Sequence, residues 1–285
     1  MVPFASLLSI DYSAASQPTR GADSIWVGGT LLGEAYLENF ATREALHQWL
    51  DRQLEQHLRE GARLLAGFDF AFGYPRGFAQ ALGLRGVPWD ATWRYFAKLI
   101  QDAPNNKNNR FQVADALNQQ LGAQAVFWGR PAHLDLPNLP ARKTVRYDQG
   151  LVEWRAFEAL GRARVQGKRR ISGMQPGWKL AYAGSVGSQS LMGIARLQGH
   201  RARLGDQLAI WPFEAADRPL VFAEIYPSMF AFDHLDHPVK DARQVQAVAQ
   251  AMAAADLRTW LDRDQFASDP EIIAEEGWLL GWDKS

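Results

Sequence analysis

Three apolar runs each deliver one acidic residue, and a fourth acid opens a late helix. Asp11 closes the run of Leu7, Leu8 and Ile10 in SLLSIDYSAA, Asp69 lies in LLAGFDFAFGYPRGF, Glu224 in LVFAEIYPS, and Asp241 begins KDARQVQAVAQA. A carboxylate delivered by a buried strand is costly unless a metal ion, a cation or backbone N–H groups meet it. Carboxylates from non-adjacent strands that gather at one sheet end repel each other unless a cation sits between them. An all-oxygen site in a chain with 0 cysteines points to Mg²⁺ or Mn²⁺. Paired metals held that way clamp the attacking and leaving oxygens of a phosphoryl transfer. Each acid also has a plainer reading. Asp11 is placed to cap the turn near Ser13, and Asp241 to favour a helix dipole. Glu224 is equally a metal ligand, an ion-pair partner or a hydrogen-bond acceptor.

Phosphate-holding candidates come from a different stretch. Ala183-Gly-Ser-Val-Gly-Ser-Gln-Ser sets glycines and the hydroxyls of Ser185 and Ser188 ahead of a helix. Such backbone can present N–H groups to an anion, or it can simply form a packed turn. No Gly-Lys-Ser/Thr ending is present, so it is not a Walker A loop. The basic run Arg162 to Arg170, with Lys168 and Arg169, reads either as a solvated face or as a phosphate contact. Lys179, Arg196, Arg201 and Arg203 follow it and support the second reading. The six histidines show no metal-ligand spacing and read as surface residues.

The elements that must position these groups follow from patterning. Strands are expected before Asp11, over Ser24–Gly28 and over Leu31–Leu37, with tight turns at Gly28-Gly29 and Gly33. Thr42 is a candidate N-cap for a helix whose apolar face is Ala45, Leu46, Trp49, Leu50 and Leu54, ended by Gly61. The run to Phe68 reads as a strand buried on both faces, hence parallel to a neighbour. Residues 88–150 change character and are expected to form an inserted helical and loop cap. Helices are expected there over Trp89–Ile100 and Gln112–Leu121, with a mobile loop at Asn105-Asn-Lys-Asn-Asn. A helix over Leu151–Leu160, strands at Leu208 and Leu220, and a long helix opened by Lys240-Asp241 complete the order. A short helix closed by Gly277 and an apolar tail come last.

The chain of 285 residues is 47% hydrophobic, which suits one large domain over 1–285 with a sizeable core. Lys plus Arg is 31 and Asp plus Glu is 31, which argues against coating duplex DNA by bulk charge and leaves room for a local basic patch. Thiolate zinc sites, disulfides and cysteine nucleophiles are excluded. No signal-like stretch or membrane-length apolar run is visible, so a cytoplasmic location without membrane partners is the expectation.

The order of these motifs resembles the RNase H-like superfamily, and more closely the domain of unknown function 429 family, described as predicted RNase H-like nucleases. The resemblance rests on IDYSA at Asp11, FDFAFGYPRGF at Asp69, GSVGSQSLMG from Gly184, EIYPS from Glu224, KDARQVQAVAQA from Lys240 and EEGWLLG from Glu275. It implies an α/β fold with a mixed sheet flanked by helices, and an acidic two-metal site. Asp11 would be the first-strand acid, Asp69 the acid after the first helix, Asp241 the acid of the late helix, and Glu224 the acid of the EIYP-type strand. Here Arg243 and Gln244 follow Asp241, where the superfamily's later helix often carries a second acid. The implied function is a metal-dependent nuclease or phosphodiesterase acting on a nucleic acid or nucleotide-like ligand. A non-catalytic ligand-binding or scaffold protein on the same fold is the alternative, and an actin-like ATP phosphotransferase a further one. Against the latter, IDYSA lacks a Gly-Thr-type phosphate loop and only one half of such a fold is visible.

Overall fold

Alternation along the strands sorts the core into two faces. In a computed structural model of the chain, residues 3–144, 147, 150–163, 174–182 and 184–282 are described. Strands β1 (Phe4–Asp11), β2 (Ile25–Leu31) and β3 (Glu34–Phe40) form an antiparallel meander, followed by helix α1 (Arg43–Glu60) and strand β4 (Arg63–Phe68). Helices α2 (Phe78–Ala81), α3 (Pro88–Leu99), α4 (Arg110–Leu121), α5 (Ala156–Ala163) and α6 (Gly187–Leu204) lead to β5 (Leu208–Trp211) and β6 (Leu220–Glu224). Helices α7 (Lys240–Ala254) and α8 (Leu257–Trp260) and a π-helical turn at Ile272–Glu276 close the order. The result is an α/β fold around a mixed 6-stranded sheet in the order β3-β2-β1-β4-β6-β5. The pairs β1–β4, β4–β6 and β6–β5 are parallel.

Leu8, Ile10, Leu64, Ala66, Phe68, Leu220 and Phe222 join α1, α3 and α6 in one cluster. Their neighbours Leu7, Leu65, Val221 and Ala223 join Val248 and Met252 of α7 and the tail residues Trp278, Leu279 and Leu280 in another. Burial of both faces explains why β4 is apolar at every position.

Helix α1 begins as its sequence foretells, with Thr42 Oγ1 accepting the Ala45 N–H at 3.1 Å. It ends at Gly61, whose φ of 64° suits a residue without a Cβ. The expected turn at Gly28-Gly29 is corrected: β2 runs straight through both glycines and the chain reverses at Leu32-Gly33. Gly28 is needed for close approach, since a Cβ there would lie 2.7 Å from Val245 Cγ2 of α7. The expected helix at Leu151 begins only at Ala156. Its start is fixed by Glu158, whose Oε2 accepts the Arg155 N–H at 2.9 Å, an acid three residues into the helix reaching back to its cap.

The segment over 88–150 packs into the sheet's own core, with Trp89, Trp93, Phe96 and Phe127 in the cluster that holds Ile10 and Phe68. The asparagine loop is anchored. Asn106 is buried, its Oδ1 accepts the Arg43 N–H at 3.0 Å, and its Nδ2 donates to the carbonyls of Gln17 and Ala41. Among the described residues no helix is long and apolar enough to cross a membrane.

Candidate active site

The strand register brings two of the four acids together. Ile10 of β1 pairs with Phe68 of β4, and the Asp69 N–H continues the ladder by donating to the Ile10 carbonyl at 3.1 Å. Asp11 and Asp69 therefore sit side by side at the carboxyl ends of adjacent parallel strands, both on the α7 face. Their carboxyls are close enough to shift each other's acidity, and Asp69 Oδ1 accepts the Tyr12 N–H at 2.6 Å. Asp241, in the first turn of α7, stands above them, with its Oδ2 accepting the Asp23 N–H at 2.7 Å. All four aspartates line one cavity of about 880 Å³.

Crowding shows in the acidities. Burial pushes the Asp11 carboxyl up to about 7; Asp241 and Asp23 add to the rise, while Asp69 and the charge of Lys240 temper it. Asp69 is raised well above the ordinary carboxylate range by burial and then by the charge of Asp11. Asp241 is raised by burial and by Asp23, against the bond from the Asp23 N–H. Two acids so close cannot both ionise cheaply, and the pair retains a proton at pH values where a lone aspartate has lost it.

Glu224 is the principal correction. It pairs with Phe68 across β4–β6, so it shares the face of Phe68 rather than that of Asp69. Its carboxylate is taken by Arg155, through Nη2 to Oε1 at 2.7 Å and Nη1 to Oε2 at 2.8 Å, and by the Phe72 N–H at 2.9 Å. Arg155 spends its remaining donors on Glu158 and on the Glu276 carbonyl. Burial alone would lower the Arg155 pKa, but Glu158 and Glu224 raise it, so the guanidinium stays charged. Glu224 is a structural anion, neither a metal ligand nor a catalytic acid here.

The proposed phosphate holders divide similarly. Ser185 and Ser188 line the cavity, and Ser188 Oγ donates to the Leu180 carbonyl. Arg196 is bound to Asp102 and Glu44, which corrects its assignment to phosphate. Arg201 pairs with Asp90 and Glu214, and Arg203 with Asp51 and Glu55. Lys179 lies against Gln175 and the Trp128 ring, outside the cavity lining. Lys168 and Arg169, with the rest of 164–170, lie outside the described residues.

Two features escaped the sequence. Arg110, at the start of α4, lines the cavity and is held by Ser188, Ser16 and Asn108. Behind Tyr12 runs a buried chain. Tyr12 Oη meets His47 Nε2 at 3.0 Å, His47 Nδ1 meets His200 Nε2 at 2.8 Å, and His200 Nδ1 meets Asp51 at 2.9 Å. The Asp51 carboxylate can only accept, so the hydrogen on His200 Nδ1 points towards it. Burial, then His200, holds His47 well below its ordinary value. The expectation of surface histidines thus fails for His47, His57 and His200, all buried. The chain fixes Tyr12, whose N–H holds Asp69 and whose carbonyl accepts from Gln189.

Among the described residues no group of three or more His, Cys, Asp or Glu side chains is poised around one metal position. Asp241 is engaged elsewhere, its Oδ2 accepting the Asp23 N–H. The donor set nonetheless suits a hard cation. Asp11 and Asp69 offer oxygen only, and a shared proton is what a cation would replace.

The fold and site define an α/β protein with an acidic cavity at the carboxyl ends of its central strands. Comparison of the chain with protein-family models, curated proteins and solved structures gave no match.

Proposed function

We propose that this protein is a metal-dependent phosphodiesterase of RNase H-like type, acting on a nucleic acid or nucleotide-like ligand. The observation that carries the reading is the juxtaposition of Asp11 and Asp69 at the ends of adjacent parallel strands, lining one cavity with Asp241. Asp11 and Asp69 would hold Mg²⁺ or Mn²⁺, joined by Asp241 once it leaves the Asp23 N–H. The ion would supply positive charge for a water nucleophile and a leaving oxygen. The chain's own part is positional. The Tyr12 N–H keeps Asp69 aimed at Asp11, and Tyr12 is in turn held by His47 and Gln189.

Bis(p-nitrophenyl) phosphate and single- and double-stranded oligonucleotides, each with and without Mn²⁺, test the reading. Mn²⁺-dependent cleavage should fall at least about 100-fold in Asp11→Asn while the circular dichroism is unchanged. Cleavage that ignores this substitution overturns the assignment. A second reading, ligand binding without turnover, is favoured by the tie of Asp241 to Asp23 and by Gln244, not an acid, one turn further along α7. Under it the parent cleaves none of these substrates with either metal.

A further inference from the structure

Arg110 brings a guanidinium to the cavity lining beside Ser16 and Ser188. Behind it, outside the lining, Arg43 and Arg196 gather around Asp102, whose charge also reaches Arg110. Asp102 binds Arg43 through both oxygens and Arg196 through one, and Glu44 serves Arg196. Three guanidinium groups thus meet two carboxylates. The group left over is Arg110, which has no carboxylate within ion-pair distance among the described residues. Its Nε donates to Ser188 Oγ at 3.0 Å, and its Nη1 to Ser16 Oγ at 2.9 Å and to Asn108 Oδ1 at 2.7 Å. These neutral acceptors fix the plane of the guanidinium without cancelling its charge. Burial, and then Arg43, lower its pKa to about 10, partly offset by Asp102.

A half-buried, oriented, uncompensated guanidinium on a cavity wall is a receptor for an anion. The surroundings favour a phosphate over a carboxylate. The wall beside it is built of the hydroxyl-bearing Ser185 and Ser188 and the start of α6. There the Ser188 and Gln189 N–H groups have no carbonyl partner within the helix. A tetrahedral anion with several acceptor oxygens can use these and the Nη2 hydrogens of Arg110 at once. Around Asp102 the surplus amounts to one guanidinium, and among the described residues Arg196, Arg201 and Arg203 are all committed to acids. A single phosphate matches that surplus, whereas a polynucleotide backbone would need a track of cations. The cavity volume of about 880 Å³ lies in the range of small-molecule sites.

We propose that Arg110 anchors the terminal phosphate of a nucleotide-sized ligand, opposite the Asp11–Asp69 pair. The cleavage part of this picture rests on the phosphodiesterase reading, but the anion site does not, and the experiment keeps them apart. Metal-free protein is titrated calorimetrically with adenosine 5′-monophosphate, adenosine, and a dT20 oligonucleotide lacking terminal phosphates. The monophosphate should bind at least about 10-fold more tightly than adenosine or the oligonucleotide. Arg110→Gln should weaken it by about 10- to 100-fold, the range of a charge-assisted pair. Arg59→Gln, an exposed α1 residue, should leave it unchanged. If Arg110→Gln melts early, Arg110→Lys, which keeps the charge and loses the fork, should bind at an intermediate strength.

Equal binding of adenosine and its monophosphate, or parental binding by both Arg110 variants, overturns the site. Arg110-dependent binding of the unphosphorylated oligonucleotide at monophosphate strength overturns the small-ligand assignment. Monophosphate binding without any metal-dependent cleavage leaves the anion site standing and removes only the phosphodiesterase reading.

Discussion

Glu224 and Asp11 occupy like positions and lead opposite lives. Each closes an apolar strand of the central sheet, and each would be costly to bury alone. Glu224 meets a guanidinium that engages both its oxygens, and every donor of Arg155 has an acceptor. Asp11 meets another carboxyl, with Asp241 and Asp23 close enough to add to the rise in pKa that burial causes. The first region is a finished ion-pair network that ties α5, β6 and the turn before Gly277 together. Asp11 and Asp69 form a region of like charge kept half-open to a cavity, an arrangement that stabilises nothing in the absence of a ligand. Complementary charge marks a structural role and stored repulsion a functional one.

The largest expected effect comes from breaking the finished region. Glu224→Ala leaves Arg155 buried beside a single carboxylate partner, and should cost about 3–5 kcal/mol in urea unfolding. A loss under about 1 kcal/mol would mean that Arg155 relaxes to water and that the contrast with Asp11 is overdrawn.

Asp11→Asn should act in the other direction, and only at high pH. The folded protein holds a proton on Asp11 up to about 7, against an ordinary 3.8, so it binds more protons than the unfolded chain between those values. That contribution is complete below the unfolded value and is lost as pH rises through about 7. A permanently neutral asparagine keeps it. The variant should match the parent near pH 4 and exceed it by roughly 1–3 kcal/mol at pH 8, the full shift being reduced by partial exposure. Equal pH profiles for the two proteins would dissolve the idea of stored repulsion.

How much of this contrast was legible beforehand depends on which interactions are local. Thr42, Gly61 and the heptad-like spacing of α1 act within a few residues, so the sequence reveals them. The carboxylates at 11 and 69 are visible because each follows an apolar run. The role of Glu224 is not visible in that way. Its face follows from pairing with Phe68, and its partner Arg155 is 69 residues distant. A shift of one residue in register would have put Glu224 beside Asp69. Arg110 looked like the end of a polar loop, because charge balance around Asp102 depends on residues from α1, α4 and α6. The histidines were misread because imidazole spacing along one helix does not reveal a chain linking β1, α1 and α6.

A smaller effect probes the support behind the acids. Tyr12→Phe removes the hydroxyl that meets His47 Nε2 and should cost about 1–2 kcal/mol, the usual loss when a buried polar group is left without its partner. Phenylalanine keeps the backbone N–H that holds Asp69, so the pH dependence assigned to Asp11 should persist in this variant. A variant in which that dependence vanishes would show that the histidine chain, not the Tyr12 backbone, sets the carboxyl pair.

The most direct test of the central claim is the melting temperature of the parent, Asp11→Asn and Glu224→Gln, each measured with and without millimolar Mn²⁺. An ion that binds only the folded state stabilises it by about 2.7 kcal/mol at one hundred times its dissociation constant. The account predicts that the parent and Glu224→Gln rise together with Mn²⁺, from different starting points, while Asp11→Asn does not respond. A parent that ignores Mn²⁺, or an Asp11→Asn variant that rises as far as the parent, would contradict it.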